Sequence, residues 1–239
     1  MKQAHTLHTC VLLYIFIAYK EESMISAVIF DLDGVIVSTD EYHFQAWKEL
    51  AKELGIAFSR EDNSRQRGVS RMESLEVLLE KTEQTFSNDE KLAMAEKKNN
   101  IYRDLLDRLS PEQILPGALN FAEESRKLGL KIAVGSSSRN TPFILKKIGL
   151  SDYFDAVADG NDIQRSKPDP QVFLIAAERL AVRPAECLVV EDADAGVEAA
   201  KAGGMFALAL GAAKGHPGAD LRADSLERLS IEKLLPELG

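Results

Sequence analysis

Several apolar runs of this 239-residue sequence end abruptly in groups able to work on a phosphate. Val28-Ile29-Phe30 runs into Asp31-Leu32-Asp33-Gly34, a run through Val134 meets Ser136-Ser137-Ser138, another ends at Asp159, and Leu188-Val189-Val190 meets Glu191-Asp192. Lys167 follows in the loop Ser166-Lys167-Pro168-Asp169-Pro170. Alone, each has an ordinary explanation: a solvated turn for Asp-x-Asp-Gly, cap residues for the serines, a favourable helix N-terminus for the Glu-Asp pair and a surface site for the lysine. Together, carboxylates, a hydroxyl and an ammonium gathered at one place need a hard cation and a phosphate to balance them. Mg²⁺ takes oxygen ligands, so Asp31, Asp33, Glu191 and Asp192 are the candidate metal-ligating carboxylates. With the repulsion between carboxylate and phosphate screened by the ion, Asp31 is free to attack phosphorus and form an aspartyl phosphate. Asp33, two residues on, suits general acid/base work, and Ser136 and Lys167 suit the phosphoryl oxygens.

The surrounding pattern supplies elements that bring these groups together. The apolar runs at 27–30, 130–137, 154–159, 187–192 and 206–211 lack polar alternation, as parallel strands covered on both faces do. Helical stretches at 141–148, 170–181 and 193–202 alternate with them, Asp169 and Pro170 being placed as N-cap and first residue of the second. The expected fold is therefore α/β, a doubly wound parallel sheet, whose strand C-termini form the ligand edge. Residues 39–112 have helical periodicity instead: Ala46, Leu50 and Leu54 step by four with Gly55 as a stop, and helices are expected at 74–80 and 90–109. The predicted organisation is a core of 24–38 plus 113–239 with a helical cap inserted at 39–112. Within the cap Thr39, His43 and Trp47 are four apart and share a helix face, an aromatic with polar groups that suits a sugar ring.

Two grades of resemblance follow from these residues. Asp31-Leu32-Asp33-Gly34-Val35, Ser136, Lys167 and Glu191-Asp192, in that order between about residues 25 and 211, resemble the four motifs of the haloacid dehalogenase-like phosphotransferases. The resemblance implies a Rossmann-like core, a cap between the first and second motifs, and Mg²⁺; because most members are phosphatases, it leaves the reaction open. The stretches TDEYHFQAWKEL (39–50), RGVSRMESL (67–75), KKNNIY (97–102) and SSSRN (136–140) are similar to the beta-phosphoglucomutase family. That similarity implies phosphorylation of Asp31, acid/base work by Asp33, a hinge at Thr39 and a sugar-facing His43. It also implies a cap wall of Trp47, Gly68, Val69, Arg71, Ser74 and Lys98, and a phosphate site of Ser136, Ser138, Arg139, Asn140 and Lys167. Arg67 stands where that family usually has Lys, a planar fork in place of a point charge, and Val37-Ser38 replaces a more usual Thr-Asp. Arg67, Arg71, Lys98 and Arg139 would then clamp a second phosphate, which a mutase needs and a simple phosphatase does not.

The expected reaction interconverts β-glucose 1-phosphate and glucose 6-phosphate through phospho-Asp31, primed by β-glucose 1,6-bisphosphate. A Mg²⁺-dependent sugar-phosphate phosphatase using the same aspartates is the alternative, and a non-catalytic phosphosugar sensor a more distant one. A net charge of −9 argues against a general nucleic-acid or acidic-membrane binder, so the expected partner is a small sugar phosphate, bound by a monomer. Cys10 and Cys187 have neither disulfide-framework nor zinc-ligand spacing, and free thiols fit the cytoplasm. The apolar run at 10–19 is about half of the roughly 20 residues a spanning helix needs. Residues 1–23 are expected to be an extension preceding a domain that opens at Met24.

Overall fold

The computed structural model describes residues 25–238; the expectations for residues 1–23, Cys10 and Met24 lie outside the described residues. Six parallel strands form one sheet: β1 (Ala27–Phe30), β2 (Lys131–Gly135), β3 (Ala156–Ala158), β4 (Cys187–Glu191), β5 (Phe206–Leu210) and β6 (Leu221–Ala223), in the spatial order 3-2-1-4-5-6. The expected α/β doubly wound sheet is present. β1 lies at its centre, paired with β2 and β4, so that Phe30 stands level with Val134 and Val190.

Side-chain alternation along the central strands divides the core. Val28, Phe30, Ile132, Val134, Leu188 and Val190 face one side, where they meet Phe121 and Ala122 of α5 (Ala118–Lys127) and Ile144 and Leu145 of α6 (Thr141–Lys147). Ala27, Ile29, Ala133, Cys187, Val189, Ala207 and Ala209 face the other. These smaller residues let α7 (Gln171–Leu180) and α8 (Asp194–Ala202) approach closely with Phe173, Ala176, Ala199 and Ala200. Every residue of β1 is buried, which explains why AVIF shows no polar alternation.

Between β1 and β2 the chain builds α1 (Asp40–Glu53), α2 (Arg60–Ser64), α3 (Arg71–Leu79) and α4 (Asn88–Leu106). Trp47, Leu50, Leu75, Leu78 and Ala95 join α1, α3 and α4 in a separate apolar cluster. Where the chain leaves and re-enters the sheet region it runs side by side: Val37 bridges Ile114, and Leu115 N donates to Ile36 O at 2.8 Å. Ser59, Ser70 and Ser87 each start a helix through a reciprocal capping box, with Asp62, Glu73 and Glu90. The boundaries shift accordingly: α3 begins at Arg71 instead of residue 74, and α4 spans 88–106 instead of 90–109. At α7 the order Asp169 N-cap, Pro170 first residue is corrected by one position. Pro170 takes the N-cap place and the helix opens at Gln171, whose N–H still donates to Asp169 Oδ1 at 3.0 Å.

Candidate active site

The strand register sets the reactive groups at one sheet edge. Asp31 follows β1 and its N–H donates to Val190 O at 2.9 Å, so its side chain emerges beside Glu191, the last residue of β4. Across β2, Ser136 is the residue immediately beyond the strand and is buried. Lys167, wholly buried, donates from Nζ to Asp31 Oδ1 and to Glu191 Oε1, each at 2.5 Å. Burial opposes its charge, but the two carboxylates outweigh burial and hold the ammonium above its ordinary value. Glu191 is sealed in, its second oxygen accepting from Ala193 N at 2.9 Å. Burial first, opposed by Lys167, raises its carboxyl above the usual range; burial and the charges of Glu191, Asp31 and Asp33 do the same to Asp192.

Asp31, Glu191 and Asp192 offer one carboxylate oxygen each, all within 4.8 Å of one another. Two glycines make room for them. A Cβ on Gly34 would stand 2.1 Å from Asp192 Oδ2, and one on Gly196 would stand 1.9 Å from the Glu191 carboxyl. Three converging acids, two of them driven toward protonation first by burial and then by one another's charge, form an oxygen-only donor set that fits Mg²⁺. Asp33 lies outside that trio. Its carboxylate accepts from Thr39 N at 2.5 Å and from Thr39 Oγ1 at 2.7 Å, and Thr39 Oγ1 is itself 2.8 Å from Tyr102 Oη. Burial raises Asp33 to about 6 against the lowering pull of those bonds, within reach of either protonation state near neutrality.

Over this edge the helices of 40–106 roof a cavity of about 1020 Å³. Asp31, Asp33, Ser136, Ser138 and Asp192 line its floor, while His43, Trp47, Arg67, Gly68, Val69, Arg71, Ser74 and Lys98 line its roof. Arg139 and Asn140 stand at the same wall. Lys98 is buried, with Nζ 4.7 Å from the ring centres of both Trp47 and Tyr102 and 2.8 Å from His43 Nδ1. Burial, then the neighbouring Arg71 charge, depresses the Lys98 ammonium far below its ordinary value; burial, Lys98 and Arg71 depress His43 likewise. Burial thus weakens the hold of Lys98 and His43 on their protons, a loss that an anion bound against the wall would offset. Arg67 turns its fork to Asp40, at 3.2 and 3.3 Å. Thr39 and Lys167 stand behind the cavity wall, acting on Asp33, Asp31 and Glu191 instead of facing the void.

Tyr102, Asn99, Ser166 and Glu73 were not singled out by sequence, and Ser137 only as a member of the serine run 136–138. Asn140 Nδ2 donates to Asn99 Oδ1 at 3.0 Å, Ser137 Oγ to Gly68 O at 3.2 Å, and Ser166 Oγ to Glu73 Oε2. Only Tyr102 carried a usable signal, since it falls four residues after Lys98 on one helix face.

Comparison with known proteins agrees with this architecture. Residues 25–204 match the family model described as haloacid dehalogenase-like hydrolase. The chain is 44% identical to the beta-phosphoglucomutase of Bacillus subtilis over 213 residues, 88% of this chain and 94% of that protein. It is 34% identical to a phosphorylated carbohydrates phosphatase of Thermotoga maritima over 75% of this chain and 82% of that one. The crystal structure of beta-phosphoglucomutase from Clostridium difficile superposes with a TM-score of 0.84 at 39% identity, covering 90% of this chain and 97% of that chain. The chain belongs to the haloacid dehalogenase-like hydrolase family.

Proposed function

We propose that this chain is a beta-phosphoglucomutase, which converts β-glucose 1-phosphate to glucose 6-phosphate by way of phospho-Asp31 and β-glucose 1,6-bisphosphate. The observation that carries the reading is one cavity with two kinds of wall: the carboxylate of Asp31 at its floor and the basic side chains Arg71, Lys98 and Arg139 around it. A substrate with a phosphate at each end fits such a cavity; a one-ended phosphatase has no use for the second cationic set. The similarity to the Bacillus subtilis enzyme supports the same choice.

In this mechanism residues 39–112 are the cap over a core of 24–38 and 113–239. Lys167 holds Asp31 Oδ1 and so aims the carboxylate, leaving Oδ2 for in-line attack. Bound by Asp31, Glu191 and Asp192, Mg²⁺ supplies charge screening that lets a carboxylate approach a phosphoryl group. The phosphoryl group passes from phospho-Asp31 to the 6-hydroxyl of β-glucose 1-phosphate. Asp33 removes the hydroxyl proton as the new O–P bond forms and the bond to Asp31 breaks. The bisphosphate then turns end for end, and Asp31 accepts the phosphoryl group from the 1-oxygen. Asp33 returns a proton to that oxygen as glucose 6-phosphate leaves. Ser136 and the backbone around Ser138 hold phosphoryl oxygens, while Arg71, Arg139, Asn140 and Lys98 hold the idle phosphate. His43 and Trp47 face the ring. Trp47 and the roof of the cavity exclude water, which would otherwise hydrolyse phospho-Asp31.

Incubation of Asp31→Ala with the bisphosphate tests the nucleophile. The variant should form no phosphoenzyme and turn over no β-glucose 1-phosphate; measurable turnover contradicts the assignment.

A further inference from the structure

Ser166 and Glu73 have no place in the chemistry above, yet they join the two halves of the cavity next to its working groups. Glu73 is the third residue of α3, two beyond Arg71; its Oε2 accepts from Ser70 N at 2.8 Å, closing the capping box that starts the helix. The same oxygen accepts from Ser166 Oγ. Ser166 immediately precedes Lys167, whose ammonium holds Asp31 and Glu191. One carboxylate oxygen thus fastens the N-terminus of α3 to the loop that carries the buried lysine.

We infer that Glu73 is a positioning residue which, through Ser166, latches the start of α3 onto the Lys167 loop and thereby sets the partition of phospho-Asp31 between sugar and water. Two neighbouring observations favour a latch over an incidental surface contact. Ser137, next to Ser136, makes an equivalent bond to Gly68 O, so both phosphate-side loops are tied to the same roof segment, 68–73. That segment is closely seated, since a Cβ on Gly68 would stand 3.1 Å from Ala193 Cβ. Burial raises the Glu73 carboxyl, but the Ser166 and Ser70 bonds outweigh it and keep the group below its ordinary value, an anion able to accept both. A roof segment free to lift admits water to Asp31 and takes Arg71 with it, so transfer and hydrolysis should respond in opposite directions.

The inference rests on the mutase reading, and Ser166→Ala separates the two. This change removes the latch while leaving the Ser70–Glu73 capping box whole. Against wild type, with β-glucose 1-phosphate, Mg²⁺ and primer, Ser166→Ala should raise inorganic phosphate released per glucose 6-phosphate by about fivefold, the worth of one exposed hydrogen bond. Ser166→Thr, which keeps the hydroxyl, should restore the wild-type ratio. Hydrogen exchange of the unliganded chain over 68–74 should also quicken in Ser166→Ala and not in Ser166→Thr. An unchanged ratio or unchanged exchange in Ser166→Ala overturns the latch. Should wild type itself release only phosphate, the mutase reading falls, and the exchange comparison still decides the latch.

Discussion

Glu191 and Asp192 occupy space that two missing side chains leave open. Gly196 is not at a left-handed backbone angle, so an alanine there would be accepted by the main chain and refused only by the Glu191 carboxyl, 1.9 Å away. Gly196→Ala should therefore displace Glu191, loosen Lys167 and raise the Mg²⁺ concentration for half-maximal activity by roughly tenfold or more, with the fold intact by circular dichroism. An unchanged Mg²⁺ dependence would show that Glu191 is not held by this packing. Gly34 is constrained twice, by φ +89 and by Asp192. At the opposite end of β4, Cys187 is fully buried, and burial pushes its thiol up to about 12. Peptide mapping after iodoacetamide at neutral pH should find Cys187 unmodified in the native chain and labelled after denaturation. Of the groups gathered at the sheet edge, Asp31, Asp33, Glu191 and Asp192 were legible because each ends or follows an apolar strand, and Lys167 from its place in the loop before the next helix. Glu73 and Ser166 were not, because they lie 93 positions apart and a single sequence does not state such pairings; Tyr102 showed its place four residues after Lys98 but not its bond to Thr39, 63 positions away.

Helix ends show what short-range chemistry does and does not announce. The Ser-x-x-acid boxes at Ser59, Ser70 and Ser87 are visible in the sequence and fix the start of α2, α3 and α4. By contrast, α5 begins after Gly117 with no side-chain cap, and β6 is only three residues long, so the first lacks a start signal and the second a periodic one. The box at Ser59 has a measurable consequence. Lys81 Nζ, at 2.7 Å, together with the Ser59 backbone and hydroxyl, outweighs burial and draws Asp62 down to about 2. A carboxyl whose folded value lies below its unfolded one contributes stability above the unfolded value, and that contribution fades as pH falls through the folded value. Asp62→Asn should cost about 2 kcal/mol at neutral pH, and the difference from wild type should shrink to roughly half by pH 3. Denaturant titrations of both proteins at the two pH values check this; a constant difference would mean the Lys81 bond contributes no net charge term.

At the scale of the whole molecule the sheet and its roof divide the labour. The strand order puts β1 between β2 and β4, so one edge collects Asp31, the lysine that holds it and the acids that fit a metal. The inserted helices bring cations and aromatic rings over that edge, and the paired strands of backbone at Val37 and Ile114 are where the two parts join. The change from helices alone to strands alternating with helices was legible in advance as a change of rhythm near residue 114. The 1020 Å³ cavity was not, because its shape depends on contacts between the parts. Among the described residues no helix is long and apolar enough to cross a membrane. If the acid trio holds Mg²⁺, removing divalent ions with EDTA should abolish turnover, and restoring Mg²⁺ should recover it; turnover persisting in EDTA would exclude the trio as an essential metal site.

On the mutase reading, phospho-Asp31 gives its phosphoryl group to a sugar and not to water. Phosphorus NMR of β-glucose 1-phosphate with the enzyme, Mg²⁺ and a trace of β-glucose 1,6-bisphosphate measures that directly. Conversion to glucose 6-phosphate with little inorganic phosphate is the predicted result. Accumulation of inorganic phosphate in place of glucose 6-phosphate would contradict it and make the chain a sugar-phosphate phosphatase.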